Sequence, residues 1–318
     1  MTPLITLDDI RAAANRVAKI ARVTPLLDVS IQAEQSLLLK CESLQPSGAF
    51  KIRGAYNMVA QLTDDQRRRG VITYSSGNHG QAMALAAREL GAPAVVVMPR
   101  TAARIKVEGA RSFGAEVIFE GTTSVDRRVR AEREAAARGL TMVPPFDHHW
   151  IIAGQGTAGL EILEQRPDVA AVIVPIGGGG LIAGIAAAIK LTRPEVKVIG
   201  VEPEGAAKMK ASLAAGTPVT LEKTETIADG LMPVRPGDLT FAHVRQFVDQ
   251  VVTVTDLQIA DAVIWLFANA KIVAEPSGAA SVAAALTAKP RLRGPVVAVV
   301  SGGNIGMERL DELRKVVR

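Results

Sequence analysis

Between residues 71 and 143, short apolar runs alternate with amphipathic or alanine-rich stretches. Val71-Ile72-Thr73-Tyr74 reads as a strand that enters the polar loop Ser75-Ser76-Gly77-Asn78-His79-Gly80, and an alanine-rich helix follows to about Leu90. Ala94-Val95-Val96-Val97-Met98 is the next strand, then a helix over 105–113, a strand over 117–119, a helix of mixed charge over 125–138 and a short strand near Met142. Such β-α alternation with short loops predicts a parallel sheet covered on both faces.

A second series begins after Pro144-Pro145. It comprises a helix over 158–163, the strand Ala171-Val172-Ile173-Val174, the loop Gly177-Gly178-Gly179-Gly180, a helix over 181–191, a strand over 196–201 and a helix over 206–215. An irregular segment, 216–239, precedes a strand over 251–254, two alanine-rich helices, a strand over 296–300 and a final helix. Ahead of both series, Thr6 with Asp8 and Asp9 opens a capped helix whose apolar stripe is Ile10, Ala13, Val17 and Ile20. Leu37-Leu38-Leu39 reads as a strand, and Ser47 is placed to cap a helix running through Tyr56 and Met58. The expected class is α/β with two three-layer, parallel-sheet domains. A large one is formed by 1–69 and 148–318, and a small one by 70–147 is inserted in it, with boundaries set by rhythm alone.

Composition changes this picture little. With 318 residues the chain exceeds the size at which a single core stops growing, about 250–300 residues. Aromatic residues make up only 3%, so alanine, glycine and valine do much of the packing, which suits tight helix-on-sheet layers. The net charge of +5 contains one tight cationic cluster, Arg67-Arg68-Arg69, and no case for nucleic acid. Cys41 is the lone cysteine, which excludes an intrachain disulfide and makes a cytoplasmic setting the expectation. The start, Met1-Thr2-Pro3-Leu4-Ile5, has neither a basic segment nor an apolar core of signal-peptide length. The uncharged stretch 169–189 is long enough to span a bilayer, but Pro175 and four glycines divide it into strand, loop and helix, so no membrane segment is expected.

Four stretches carry candidate chemistry. Ser47-Gly48-Ala49-Phe50-Lys51-Ile52-Arg53-Gly54 sets a lysine among small and apolar neighbours. Poor solvation favours the neutral amine, which can form a Schiff base with an aldehyde, although a helix lysine taken alone is more often a solvated one. Gly177–Gly180, between a strand and a helix, suits a phosphate. The same loop satisfies a dinucleotide fingerprint, with Glu202 about where a ribose-binding acid would fall, so a dehydrogenase is an alternative. Ser75, Ser76, Gly77, Asn78 and His79 offer hydroxyls, an amide and helix-opening N–H groups suited to a carboxylate. Ser301, in Val300-Ser301-Gly302-Gly303-Asn304, places a hydroxyl just past a strand, where it can donate to a ring nitrogen or cap a helix. A lysine surrounded by three such loops fits a phosphorylated aldehyde cofactor.

These pieces resemble the fold-type II pyridoxal-phosphate enzymes of the tryptophan synthase β-subunit-like fold, in the serine/threonine dehydratase and serine racemase branch. The matching segments are S-G-A-F-K-I-R-G-A at 47–55, S-S-G-N-H-G at 75–80, A-G-Q-G-T at 153–157, G-G-G-G-L at 177–181, A-D-G at 228–230, E-P-S-G-A at 275–279 and S-G-G-N at 301–304. The resemblance implies that Lys51 carries pyridoxal 5'-phosphate as a Schiff base, that Asn78 bonds its ring hydroxyl, that Gly177, Gly178, Gly179 and Gly180 hold its phosphate and that Ser301 meets its pyridine nitrogen. Gly48 and Ala49 would leave room for the ring, and Phe50 and Glu275 join the cofactor-binding set. Ser75, Ser76, Gly77, Asn78 and His79 would take the substrate carboxylate. The implied reaction is loss of the β-hydroxyl of L-threonine or L-serine. Lys51 removes the Cα proton, and the released enamine hydrolyses to a 2-oxo acid and ammonia. The implied partners are a small amino acid and a second copy of the chain in a homodimer.

Two departures bear on the choice within the branch. Ser76 supplies the hydroxyl that racemases use on the opposite face of the carbanion, so racemisation, or dehydration of 3-hydroxyaspartate or phenylserine, stays an alternative. Pro233 stands where the racemases resembled have a serine. Lys208 stands six positions after Glu202, where members with a divalent-cation site have an aspartate, so no metal is expected there and an ammonium takes its place. Little chain follows residue 304, which leaves no room for a C-terminal regulatory domain, and feedback by isoleucine is not expected. A scaffold that binds without catalysis is the remaining alternative.

Overall fold

The computed structural model describes residues 3–75, 77–121, 124–287 and 293–317. Its strands are β1 (Leu26–Asp28), β2 (Leu37–Lys40), β3 (Val71–Tyr74), β4 (Ala94–Met98), β5 (Glu116–Phe119), β6 (Thr141–Met142), β7 (Ala171–Pro175), β8 (Lys197–Pro203), β9 (Gln250–Val254) and β10 (Val296–Val299). They form a six-stranded sheet, β1-β2-β10-β7-β8-β9, and a four-stranded sheet, β5-β4-β3-β6. Every pairing is parallel except that of β1 with β2. The chain is an α/β protein with helices on its parallel sheets. The strands of the second sheet all come from 71–142, and those of the first come from either side of that stretch.

The uninterrupted apolar runs follow from burial on both faces. Along β7, Ala171 and Ile173 face one core while Val172 and Val174 face the other. Val296 and Ala298 of β10 likewise oppose Val297 and Val299. Because side chains alternate across a strand, a strand covered twice must be apolar throughout.

Register also brings the candidate loops together. β2, β10 and β7 are adjacent and parallel, with Leu37 opposite Val296 and Val296 opposite Ala171. Their carboxyl ends therefore deliver the segments before Lys51, after Val300 and at Gly177–Gly180 to one edge of the sheet, where open α/β sheets bind ligands. The helix Lys51–Val59 precedes the second sheet in sequence but joins its core: Ile52, Ala55, Met58 and Val59 cluster with Ala82, Met83 and Val96. It thus bridges the two halves.

Four strands or α-helices lie outside the sequence expectations: β1, the short helices Ser30–Ala33 and Asp64–Arg69, and the helix Asp238–Phe247. Another differs in extent: the helix expected over 158–163 runs over His149–Gln165. Its first half contains Gly154 and Gly156, whose low helix propensity hides it from a composition-based reading.

Candidate active site

Lys51 is the first residue of its helix, and the cap position is Phe50, with no side-chain cap bond. The expectation that Ser47 caps this helix is not met, since its Oγ lies 3.2 Å from the carbonyl of Ala49. The helix start is instead steadied from another element, as Gly54 N donates to Gln155 Oε1 at 3.2 Å. Gly48 also has a different task from the one expected. It sits at φ +72°, and the place of its missing Cβ is taken by the Asn304 amide, so its smallness serves the 301–304 loop rather than a cofactor ring. Ala49 is fully buried and bridges Gly302, and Phe50 N donates to Ser301 O at 3.0 Å.

The Lys51 Nζ donates to Pro145 O at 2.7 Å and stands 5.1 Å from the centre of the Phe50 ring. Burial, with no carboxylate partner among the described residues, pushes its amine down to about 8, so about a fifth of it is neutral near pH 7.4. His79 lies next to the same segment. Its Nε2 donates to Val143 O at 3.1 Å, and Nδ1 has no partner among the described residues. Burial first, and the Lys51 charge second, push the imidazole down to about 3, so it is neutral. The side chain of His79 is therefore a buried structural group, and what remains for a carboxylate is its backbone N–H. Gly77, Asn78 and His79 open the helix Asn78–Glu89, where the first N–H groups have no intrahelical acceptor. Gly77 N donates to Ser75 Oγ at 3.2 Å. Ser76 lies outside the described residues.

The glycine loop is a cradle with no space for side chains. A Cβ on Gly177 would lie 2.7 Å from Gly230 O, one on Gly178 would enter the Phe146 ring, and one on Gly180 would lie 3.0 Å from Phe146 Cβ. Gly179 sits at φ +97° as the cap of helix Gly180–Lys190, a conformation that favours glycine. Thr240 Oγ1 holds the Gly178 carbonyl at 2.7 Å, which occupies that acceptor while the N–H groups of the loop and helix start suit a phosphate.

Polar groups between these loops are held in a fixed orientation. Asn78 Nδ2 donates to Glu275 Oε1, and Asn304 Nδ2 donates to Asn78 Oδ1 at 2.9 Å. Glu275 is buried and its carboxyl is pushed up by desolvation, against the pull of Lys106, whose Nζ lies 3.3 Å from Oε2. Lys106 also pairs with Asp229. The buried Ser301 Oγ lies 3.4 Å from Ser277 O, a long contact that leaves the hydroxyl free to find a better partner. Sequence reasoning missed Lys106, because a lysine within the charged, amphipathic stretch 104–112 looks solvated until the fold buries it.

Glu202 and Lys208 do meet. Lys208 Nζ lies 3.1 Å from Glu202 Oε1 and donates to the carbonyls of Ile176, Ala206 and Leu231, each at 3.0 Å. Glu202 is fully buried and accepts from Met209 N and Lys210 N at 2.9 Å each. An acid so enclosed cannot reach a ribose, and the dinucleotide reading of the glycine loop falls with it. No described helix is long and apolar enough to cross a membrane.

The residues fit a lysine-bound, phosphorylated aldehyde: an amine lowered toward neutrality, a glycine cradle that any Cβ would fill, and an oriented amide. Comparison with known proteins agrees. The family described as pyridoxal-phosphate dependent enzyme matches residues 17–302. L-threonine ammonia-lyase of Thermotoga maritima is 46% identical over 314 residues, 98% of this chain and 78% of the relative. L-threo-3-hydroxyaspartate ammonia-lyase of Saccharomyces cerevisiae is 39% identical over 312 residues, 97% of this chain and 96% of the relative. The solved structure of maize serine racemase superposes with a TM-score of 0.93 at 39% identity, covering 98% of each chain. The chain belongs to the fold-type II pyridoxal-phosphate dependent enzymes, and its cofactor is pyridoxal phosphate.

Proposed function

We propose that this chain dehydrates and deaminates L-threonine or L-serine to a 2-oxo acid and ammonia. The observation that carries the reading is the Lys51 amine, lowered to about 8 by burial and held 2.7 Å from Pro145 O at the edge where the three loops converge. When bound, pyridoxal phosphate supplies an electron sink that acidifies the Cα–H bond of an attached amino acid. Lys51 holds the cofactor and, once displaced by the substrate amine, takes the Cα proton on its neutral Nζ. The N–H groups of Gly177–Gly180 and of the helix after them hold the phosphate. Asn78 meets the ring hydroxyl through an amide whose orientation Glu275 and Asn304 set. Ser301 offers a hydroxyl to the ring nitrogen; a hydroxyl leaves that nitrogen largely unprotonated, which tempers the sink and suits loss of a β-substituent over prolonged carbanion chemistry. The backbone N–H groups at Gly77–His79 and the Ser75 hydroxyl receive the carboxylate. The β-hydroxyl leaves as water on taking up the Cα proton, and the released enamine then adds water and loses ammonia to give the 2-oxo acid.

Similarity to the threonine enzyme of Thermotoga maritima supports a lyase, and likeness to maize serine racemase supports racemisation as a second reading. The test incubates the cofactor-loaded chain with L-threonine, L- and D-serine and L-threo-3-hydroxyaspartate while 2-oxo acid and D-isomer are measured in parallel. The expected outcome is 2-oxo acid from L-threonine or L-serine in excess of any D-isomer, with both lost in Lys51→Ala along with the visible, borohydride-sensitive band. Dominant D-serine formation would transfer the assignment to a racemase, and 2-oxo acid from 3-hydroxyaspartate alone would overturn the substrate choice.

A further inference from the structure

Lys106 belongs by sequence to the half of the molecule built on the second sheet, in helix Arg104–Ser112, which packs against helix Asn78–Glu89. Its side chain nevertheless leaves that half. Only 4% exposed, it runs across Gly77, where an added Cβ would lie 3.1 Å from its Cδ and 3.2 Å from its Nζ. Its ammonium then pairs with Asp229 and, at 3.3 Å, with Glu275, both from the half built on the first sheet.

Each acid leads back to a binding loop. Glu275 accepts from the Asn78 amide through its other oxygen. Asp229 lies in the turn Asp229–Leu231, whose Gly230 N donates to Ser277 Oγ at 2.8 Å and whose Gly230 carbonyl is the atom that walls in Gly177. One buried ammonium thus ties the Ser75–Asn78 loop to the wall of the glycine cradle. The pairing is asymmetric: Glu275 is buried and needs a cation to stay ionised, whereas the Asp229 side chain is 48% exposed and can be hydrated when it lets the ammonium go.

We propose that Lys106 is a positioning residue that latches the half carrying Ser75 and Asn78 onto the half carrying the glycine loop, and thereby sets affinity for the amino-acid substrate more than the rate of bond breaking. This rests on the function proposed above only in naming the substrate. Lys106→Met keeps the length of the stem and removes the charge, Lys106→Arg keeps the charge, and Asp229→Asn loosens the latch from its exposed side. Hydrogen exchange is followed on the cofactor-free and loaded proteins, and KM and kcat on the loaded ones. Lys106→Met is expected to speed amide exchange in 104–112 and 226–231 by about tenfold in both forms. It should also raise KM by about tenfold while kcat stays within about threefold, with Lys106→Arg restoring both and Asp229→Asn moving them part of the way. Unchanged exchange in Lys106→Met, or a fall in kcat at constant KM, overturns the latch. Should Lys106→Met fail to fold, unchanged exchange in Asp229→Asn overturns it alone. A chain that turns over no amino acid defeats the proposed function while the exchange experiment still decides the latch.

Discussion

Lys51 owes its weakly basic amine to what its neighbours do not provide. Among the described residues no carboxylate pairs with it, a backbone carbonyl is its hydrogen-bond acceptor, and burial lowers its amine from 10.5 to about 8. The linkage has a definite sign. Between pH 8 and 10.5 the unfolded chain binds a proton at Lys51 that the folded chain does not, so folding stability rises with pH across that window, and below pH 8 the penalty is complete. The cofactor-free Lys51→Met variant should therefore melt higher than the parent at pH 7, by about 2 °C or more, with the difference fading above pH 10.5. Thermal melts across that range check this, and equal midpoints at pH 7 would contradict it. Two residues on, Arg53 shows the opposite treatment of charge. Fully buried, it meets Glu42 at 2.7 Å and Glu161 at 2.6 Å, while Lys40 reaches Glu161 at 2.6 Å, a cluster of two cations and two anions that leaves no buried charge unpaired. Lys51 and Arg53 lie on one helix within a single turn, while Lys40, Glu42 and Glu161 come from other elements.

At the scale of elements, helix His149–Gln165 joins the lysine to the phosphate cradle. A Cβ on Gly154 would lie 2.6 Å from Gly54 Cα and 2.7 Å from Arg53 O, so this helix touches the Lys51 helix backbone to backbone. On its other side a Cβ on Gly156 would lie 2.9 Å from Gly184 O, inside the helix that follows the glycine loop. Substituting Gly154→Ala must push the Lys51 helix away, at a cost of about 1–3 kcal/mol of stability. Weaker capture of pyridoxal phosphate should accompany it, about tenfold by titration of the visible band. A chain with unaltered midpoint and cofactor affinity would show that the contact is not close. The A-G-Q-G-T segment was legible as a motif, but its purpose was not, because a glycine signals permissiveness and only the partner backbone reveals why it is needed. Ser47 teaches the converse: its residue type suits a cap, but the tertiary fold brings Gln155 to that task.

Across the whole molecule, Lys208 does the work of a bound cation. Its ammonium gathers the carbonyls of Ile176, at the entry to the glycine loop, Ala206 and Leu231, beside the turn that walls in Gly177, and neutralises the buried Glu202. A second cation has no place among those oxygens, so full activity is expected in excess chelator, and activation by magnesium or calcium would refute it. Lys208→Ala leaves Glu202 buried without a counter-charge and should destabilise the chain by about 3–5 kcal/mol in denaturant unfolding. The alternation of apolar runs and helices made both parallel sheets readable, because strands buried on two faces have little freedom of composition. β1 escaped notice because it is three residues long and lies at the sheet edge, where burial imposes less pattern.

Sequence by itself determined the class of fold, the lysine, the glycine cradle and the loop with Asn78, since each depends on local residue type: an amine with small neighbours, missing Cβ atoms, N–H groups at a helix start. Tertiary structure alone decided what holds them. That Lys106 faces Glu275 across 169 positions, that Gln155 steadies the Lys51 helix and that His79 is a neutral structural group all follow from contacts between segments distant in the chain. The protonation of Lys51, Glu275 and His79 is set by burial and by neighbouring charge, quantities that exist only once the chain is folded.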